Sequence, residues 1–163
     1  MTRAAFFSII PAAVIGFASC TDPRTPVEIT ITNGQGEIAG EVTSTSVILQ
    51  SRLTSKGGWV DGDLPGASGV ARFEISTNPD FSDATRTDWI EAIADNDFIV
   101  KAKIGNLIPG TDYFYRVVYG PDDEYIESGA IRSFGTLPGA SASTQISFTV
   151  VTGMNYHQFF NNT

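Results

Sequence analysis

Between residues 27 and 137 the apolar side chains fall at every second position in short runs, and Gly, Pro, Asn and Asp gather between the runs. That period of two belongs to strands with one buried face, and no run carries the 3.6 period of an amphipathic helix. Val27–Thr32 sets Val27, Ile29 and Ile31 against Glu28, Thr30 and Thr32 and predicts a first edge strand; after the Asn33–Gly34 turn, Glu37–Val42 predicts a second. In Ser46–Leu53 the inward set is Val47, Leu49, Ser51 and Leu53. Val70–Thr77 places Ala71, Phe73 and Ile75 on one face and Arg72, Glu74 and Ser76 on the other. Asp97–Leu107 points Phe98, Val100, Ala102 and Ile104 inward and Ile99, Lys101 and Lys103 outward. A final strand is expected over Ser128–Thr136, entered through Gly129.

The most specific stretch lies between the last two. Leu107-Ile-Pro-Gly-Thr-Asp-Tyr113 runs from a Pro-Gly bend into Tyr113, Tyr115, Val117 and Tyr119 on one face, with Phe114, Arg116 and Val118 on the other. This is the pattern of a tyrosine corner, in which a Tyr at the entrance of a strand bonds its hydroxyl back to the backbone of the bend. Leu107, Pro109, Gly110 and Tyr113 are the structural corner residues. Strands every ten to twenty residues around such a corner predict an all-β, seven-stranded sandwich of the fibronectin-III/immunoglobulin-like kind. Its expected core holds Phe73, Ile75, Phe98, Val100, Ile104, Leu107, Tyr113, Tyr115 and Val117. Some 110 residues are enough to bury such a core without help from disulfides.

Two segments depart from the strand rhythm and are read as inserted loops, Ser55–Gly69 with Trp59 and Pro65, and Asn78–Asn96 with Phe81 and Trp89. Trp59 is expected to pack as a lid on the end of the sandwich, and Trp89 with Ile90 to contact an outer strand. Asp61 and Asp63 do not make a calcium loop, because calcium takes six to eight oxygens and no bidentate Glu follows at the needed spacing. The acid pairs Asp95 with Asp97 and Asp122 with Asp123 stand in turn-like segments, where solvated carboxylates are ordinary and catalytic ones lack a reason for a raised pKa.

Charge and the ends of the chain add localisation. Arg3 followed by the uncharged run Ala4–Ser19 and small residues before Cys20 reads as an export signal, interrupted by Pro11 and too short to span a bilayer comfortably. Phe17-Ala-Ser-Cys20 resembles a bacterial lipobox, with Phe17 where Leu is usual. The resemblance implies that Cys20 is the lipidation site, so the expected location is the cell envelope, on the periplasmic or outer surface of a membrane. Multiple acyl chains, at about 0.8 kcal/mol per buried CH₂, hold a protein on a membrane durably. Loss of Arg3 on cleavage before Cys20 leaves nine basic residues against eighteen acids, a net charge of about −9. Lys56, Lys101 and Lys103 are the only lysines, so no nucleic-acid partner is expected. Cys20 is the single cysteine, which excludes a disulfide framework.

Leu137–Thr144 is a run of small residues of linker composition, and Gln145–Thr152 then reads Gln-Ile-Ser-Phe-Thr-Val-Val-Thr, a strand apolar on both faces as in layered α/β domains. One strand makes no domain. The succession Gly40-Glu-Val-Thr-Ser-Thr-Ser-Val-Ile-Leu-Gln-Ser-Arg52, Asp63-Leu-Pro-Gly through Val70-Ala-Arg-Phe-Glu-Ile-Ser-Thr77, the corner 107–119, Ile131-Arg-Ser-Phe-Gly-Thr136, and a linker into Phe-Thr-Val-Val with Asn155-Tyr156 soon after resembles the N-terminal domain of alkaline phosphatase D-like metallophosphatases. The resemblance covers residues 37–160. It implies 1–20 as a lipoprotein signal peptide, 27–137 as the fibronectin-III-like domain, 138–144 as linker and 145–163 as the start of a metallophosphatase domain.

It further implies a non-catalytic role for these residues, with the catalytic domain a partner in cis and the membrane reached through the lipid anchor. Phosphomonoesters or phosphodiesters would be met only by the intact enzyme. No catalytic residue, metal ligand or cofactor is expected here. Divalent metals, or iron and calcium, belong to the catalytic domain, and such a centre needs several histidines where this sequence has His157 alone. Gly153-Met154 stands where one branch of the family has an iron-ligating Cys. The competing expectation is a self-sufficient surface lipoprotein that binds a protein or glycan through the Ser55–Gly69 loop.

Overall fold

The structure, a computed structural model, describes residues 28–143 and residue 145. Cys20, His157 and the segment 146–163 lie outside the described residues, so the readings that rest on them are not addressed by it. Within the described residues the chain is an all-β sandwich without an α-helix; the one helical turn among them is the 3-10 turn Ala94–Asn96.

Eleven strand segments run along seven tracks. On one sheet, β1 (Ile31–Thr32) and β2 (Glu37–Gly40) form the edge, followed by β3 (Val47–Arg52) with its continuation β4 (Thr54–Ser55), then β8 (Ile99–Ile104). On the other, β5 (Gly69–Ser76) lies between β9 (Asp112–Gly120) and a track made of β6 (Thr85–Arg86) and β7 (Ile90–Ala92), while β10 (Glu127–Ser128) and β11 (Arg132–Gly135) form the far edge against β9. All pairs are antiparallel, with Leu49 opposite Ala102, and Phe73 opposite Val117.

Four of the tracks are broken, and three of the breaks have a clear local reason. The expected single strand 128–136 is two segments, because Ser128 faces Val118 whereas Arg132 faces Tyr115, so three residues oppose two in a bulge. Gly129 sits there with its N–H on the Val117 carbonyl at 2.8 Å, and a Cβ on it would meet Val117 Cγ1 at 2.9 Å. The segment 78–96, expected as a loop, instead supplies β6 and β7. The register slips by one between them, and Thr87 fills the gap by donating its N–H to the Phe73 carbonyl and accepting the Phe73 N–H on its hydroxyl, both at 3.0 Å. Between β1 and β2 the Asn33–Gly36 turn makes a similar excursion.

The core lies between the sheets. Val47, Leu49, Leu53 and Val100 come from one side, and Ala71, Phe73, Ile75, Tyr113, Tyr115, Val117 and Tyr119 from the other, all buried. Burying each of the larger side chains contributes about 1.5–3 kcal/mol. Phe98, Ile104 and Leu107 are partly buried against it, so every expected core residue is in or on the core. One open side of the sandwich is closed by an ion pair: Arg132 Nε donates to Glu37 Oε1 at 2.9 Å, Asn33 Nδ2 to Glu37 Oε2 at 2.6 Å, and the Glu37 side chain is 1% exposed.

Candidate functional site

The segment joining β8 to β9 bends at Pro109–Gly110, where Gly110 takes φ +63, a conformation open to glycine. The Tyr113 hydroxyl accepts the Ile108 N–H at 2.9 Å, and the ring stacks on Phe134 at 5.5 Å between centroids. Leu107 donates its N–H to the Thr45 carbonyl at 3.0 Å. Thr136 donates its hydroxyl to the Ile108 carbonyl at 2.7 Å and accepts the Thr111 N–H at 2.9 Å. The next residue is clamped as well, with Leu137 N–H on the Thr43 carbonyl and Gly110 N–H on the Leu137 carbonyl, both at 3.0 Å. The chain therefore leaves the sandwich from a fixed point beside the corner. Small-residue composition suggested a loose exit, but a Cβ on Gly139 would already touch Pro109.

Beside this exit a crevice of about 360 Å³ opens between the corner and the start of the 77–84 connection. Ile75, Ile104, Leu107 and Ile108 give it an apolar floor and lip, and Ser76, Thr77 and Asp83 a polar rim. Asp83 accepts the Ser76 hydroxyl on one oxygen and the Thr77 hydroxyl, at 2.7 Å, on the other. The Ser76 bond first, then the Thr77 bond, holds its carboxyl down to about 2, so the rim keeps its negative charge. Ile108 is 61% exposed although both its backbone N–H and its carbonyl are bonded.

On the outer face of the six-stranded sheet, Glu74 is the hub of a charge network. Arg86 Nε reaches Oε1 at 2.7 Å, Arg116 Nη2 and Nε reach Oε2 at 2.6 and 2.9 Å, and Arg72 stands at 3.6 Å. Arg116 lies over the Phe81 ring and Arg72 over the Trp89 ring, each at 4.4 Å from the centroid, which pins the inserted segment to the sheet. Burial pushes the Glu74 carboxyl up, and the hydrogen bonds and charges of Arg86 and Arg116 together outweigh it, leaving the group below the usual range. Trp89, expected to contact an outer strand, thus meets Arg72 of β5, an inner strand, and Trp59, expected to pack as a lid, is 61% exposed beside the tight Val60–Asp63 hairpin.

Three of the acids noted in the sequence serve local structure. Asp63 Oδ1 accepts the Leu64 N–H, Asp97 Oδ1 pairs with Arg52 at 2.9 Å, and Asp122 Oδ1 accepts the N–H groups of Glu124 and Tyr125. Among the described residues no group of three or more His, Cys, Asp or Glu could hold a metal ion. The donor set of the described residues does not fit a metallophosphatase centre.

Glu74 and Asp83 were not singled out from the sequence. Glu74 shows there as an acid between two apolar positions, but the convergence of Arg72, Arg86 and Arg116 depends on a register that alternation alone leaves open.

The family model described as PhoD-like phosphatase, N-terminal domain, matches residues 24–137. The match therefore ends at the residue clamped beside the corner. No curated protein matches the chain. The solved structure of PhoD is similar with a TM-score of 0.59 at 22% identity, over 74% of this chain and 22% of that one. The sensor domain of the anti-sigma factor RsgI4 of Pseudobacteroides cellulosolvens gives a TM-score of 0.45 at 22% identity, covering 71% of this chain and 98% of that one. An fn3 domain of human contactin 1 gives 0.44 at 14% identity, covering 85% and 100%. The likeness to PhoD establishes the shared fold, and this chain spans 22% of that chain's length.

Proposed function

Because the chain belongs to the PhoD-like phosphatase N-terminal domain family, we propose that it is the non-catalytic N-terminal part of an exported, membrane-anchored phosphomonoesterase or phosphodiesterase, whose catalytic domain follows it in the same polypeptide. The observation that carries the reading is the coincidence of the family match, which ends at Leu137, with the clamped exit at that residue. A sandwich that only bound ligands through its loops would have no need to fix the direction of its outgoing chain. One that carries a second domain benefits, because a rigid exit removes orientational freedom that docking would otherwise cost.

One further observation supports it. The solved PhoD chain is several times longer than the portion this chain covers. The metals, whether divalent ions or iron and calcium, belong in this reading to the following domain, and the membrane is reached through lipid on Cys20.

Two assays test the reading. The 163-residue chain should hydrolyse neither p-nitrophenyl phosphate nor its diester with any added divalent metal, and metal-dependent turnover by it would overturn the non-catalytic assignment. In a host with lipoprotein processing, wild-type protein should incorporate radiolabelled palmitate and fractionate with membranes, and Cys20→Ser should do neither. An unlabelled, soluble wild-type protein would remove the anchor from the account.

A further inference from the structure

We propose that the crevice at the exit end, with Ile108 as its lip, is the seat of the downstream catalytic domain, and that it takes an apolar side chain of that domain with a basic group over Asp83. The inference rests on the functional reading above and adds to it the surface of contact and its chemistry.

The first argument is continuity. Leu137 is fixed beside the corner by bonds to Thr43 and Gly110. From there to Gln145 are eight residues, which span at most about 28 Å when fully extended. The turn in which Ala142 donates its N–H to the Gly139 carbonyl shortens that reach further. Whatever follows must begin close to this end of the sandwich, whereas the Trp59 hairpin, near the start of β5, belongs to the opposite end.

The second argument is what Ile108 is asked to do. Its amide is held by Tyr113 and its carbonyl by Thr136, so its backbone has little freedom, yet the side chain is 61% exposed. Leu137, 40% exposed, stands at the same end. For the sandwich alone a polar residue would serve as well at this position. A rigid apolar residue at the mouth of an apolar crevice is instead the form of an interface anchor, because little entropy remains to be lost when a partner covers it. A lone exposed Ile elsewhere needs no such account; here the crevice, the clamp and the exit coincide.

The third argument is charge. Asp83 is exposed, and its two oxygens are oriented by Ser76 and Thr77. No basic side chain pairs with it among the described residues, while Glu74 and Glu37 each have arginine partners. An Arg or Lys of the incoming surface is the complement that this rim lacks.

Amide exchange compares the 163-residue chain with the product of the complete gene. The exchange of residues 75–85 and 104–110 is expected to slow at least tenfold in the intact enzyme, and Ile108→Asp in that enzyme to return it to the rates of the short chain. Ile38→Asp, equally exposed on the outer face of the other sheet, is expected to leave the protection in place. An intact enzyme whose exit end exchanges as in the short chain, or which protects the face around Ile38 and Lys101 instead, overturns the surface while leaving the functional reading standing. A gene that encodes no metallophosphatase domain after residue 163 overturns both.

Discussion

Replacing Tyr113 by Phe removes one oxygen from the corner and leaves its packing intact. The ring is 7% exposed and stacked against Phe134 at 5.5 Å and 15°, and a phenyl group keeps both features. What is lost is the 2.9 Å bond from the Ile108 N–H. A net hydrogen bond is worth about 0.5–1.5 kcal/mol, and more where the orphaned donor is fully buried. Ile108 stands at the surface and water can reach part of its backbone, so about 1 kcal/mol is expected. For a domain of this size that corresponds to a fall in Tm of about 4 °C. Tyr119→Phe is the internal control: its ring is equally buried at 4% exposure, but its hydroxyl meets Thr32 Oγ1 only at 3.5 Å, the edge of hydrogen-bond range. Urea unfolding at constant m should separate the two, with the larger shift in midpoint for Tyr113→Phe. Equal midpoints for wild type and Tyr113→Phe, or a cost for Tyr119→Phe as large, would refute the corner as a source of stability.

Glu74→Gln should lower stability at neutral pH by about 2–3 kcal/mol, since it leaves partly desolvated arginines without their carboxylate. Because the folded carboxyl lies below its ordinary value of 4.5, its contribution is complete above that pH and lost as pH falls through the folded value. Wild type should therefore converge on Glu74→Gln in acid, and parallel stability curves from neutral pH down to pH 3 would contradict the network. Gly120→Ala should cost about 2 kcal/mol or more, because a Cβ there would lie 2.0 Å from the Tyr125 carbonyl oxygen and 2.7 Å from that of Asp122, backbone atoms with little room to yield. A thermal midpoint within a degree of wild type would show that this turn is looser than described.

The facing of the strands was legible in the sequence wherever one side meets the core. Val47, Leu49, Leu53, Phe73, Val100, Tyr115 and Val117 lie where alternation put them, because slipping any of these strands by one residue would expose its whole apolar set. The corner was legible for a different reason: Pro-Gly followed by an alternating run at Tyr113 is a local pattern with a local geometry. Breaks in the edge tracks were not. The bulges at Thr87 and Gly129 depend on which residue of the neighbouring strand each faces, and single-strand alternation carries no information about that. For the same reason the Glu74 cluster escaped notice. Its arginines lie on β5, β6 and β9, and only the register brings them to one carboxylate. Trp59 failed differently, since hydrophobicity favours burial, yet a tight hairpin can hold a ring at the surface.

The central claim, that this sandwich is the N-terminal part of a larger PhoD-like phosphatase, is tested most directly by the size and activity of what the gene produces in its own cells. An antibody against the sandwich should detect a membrane-associated protein several times larger than 17.4 kDa. Its immunoprecipitate should hydrolyse bis-p-nitrophenyl phosphate in a metal-dependent way. A sole product at or below 17.4 kDa, with no phosphoesterase activity in the precipitate, would contradict the account.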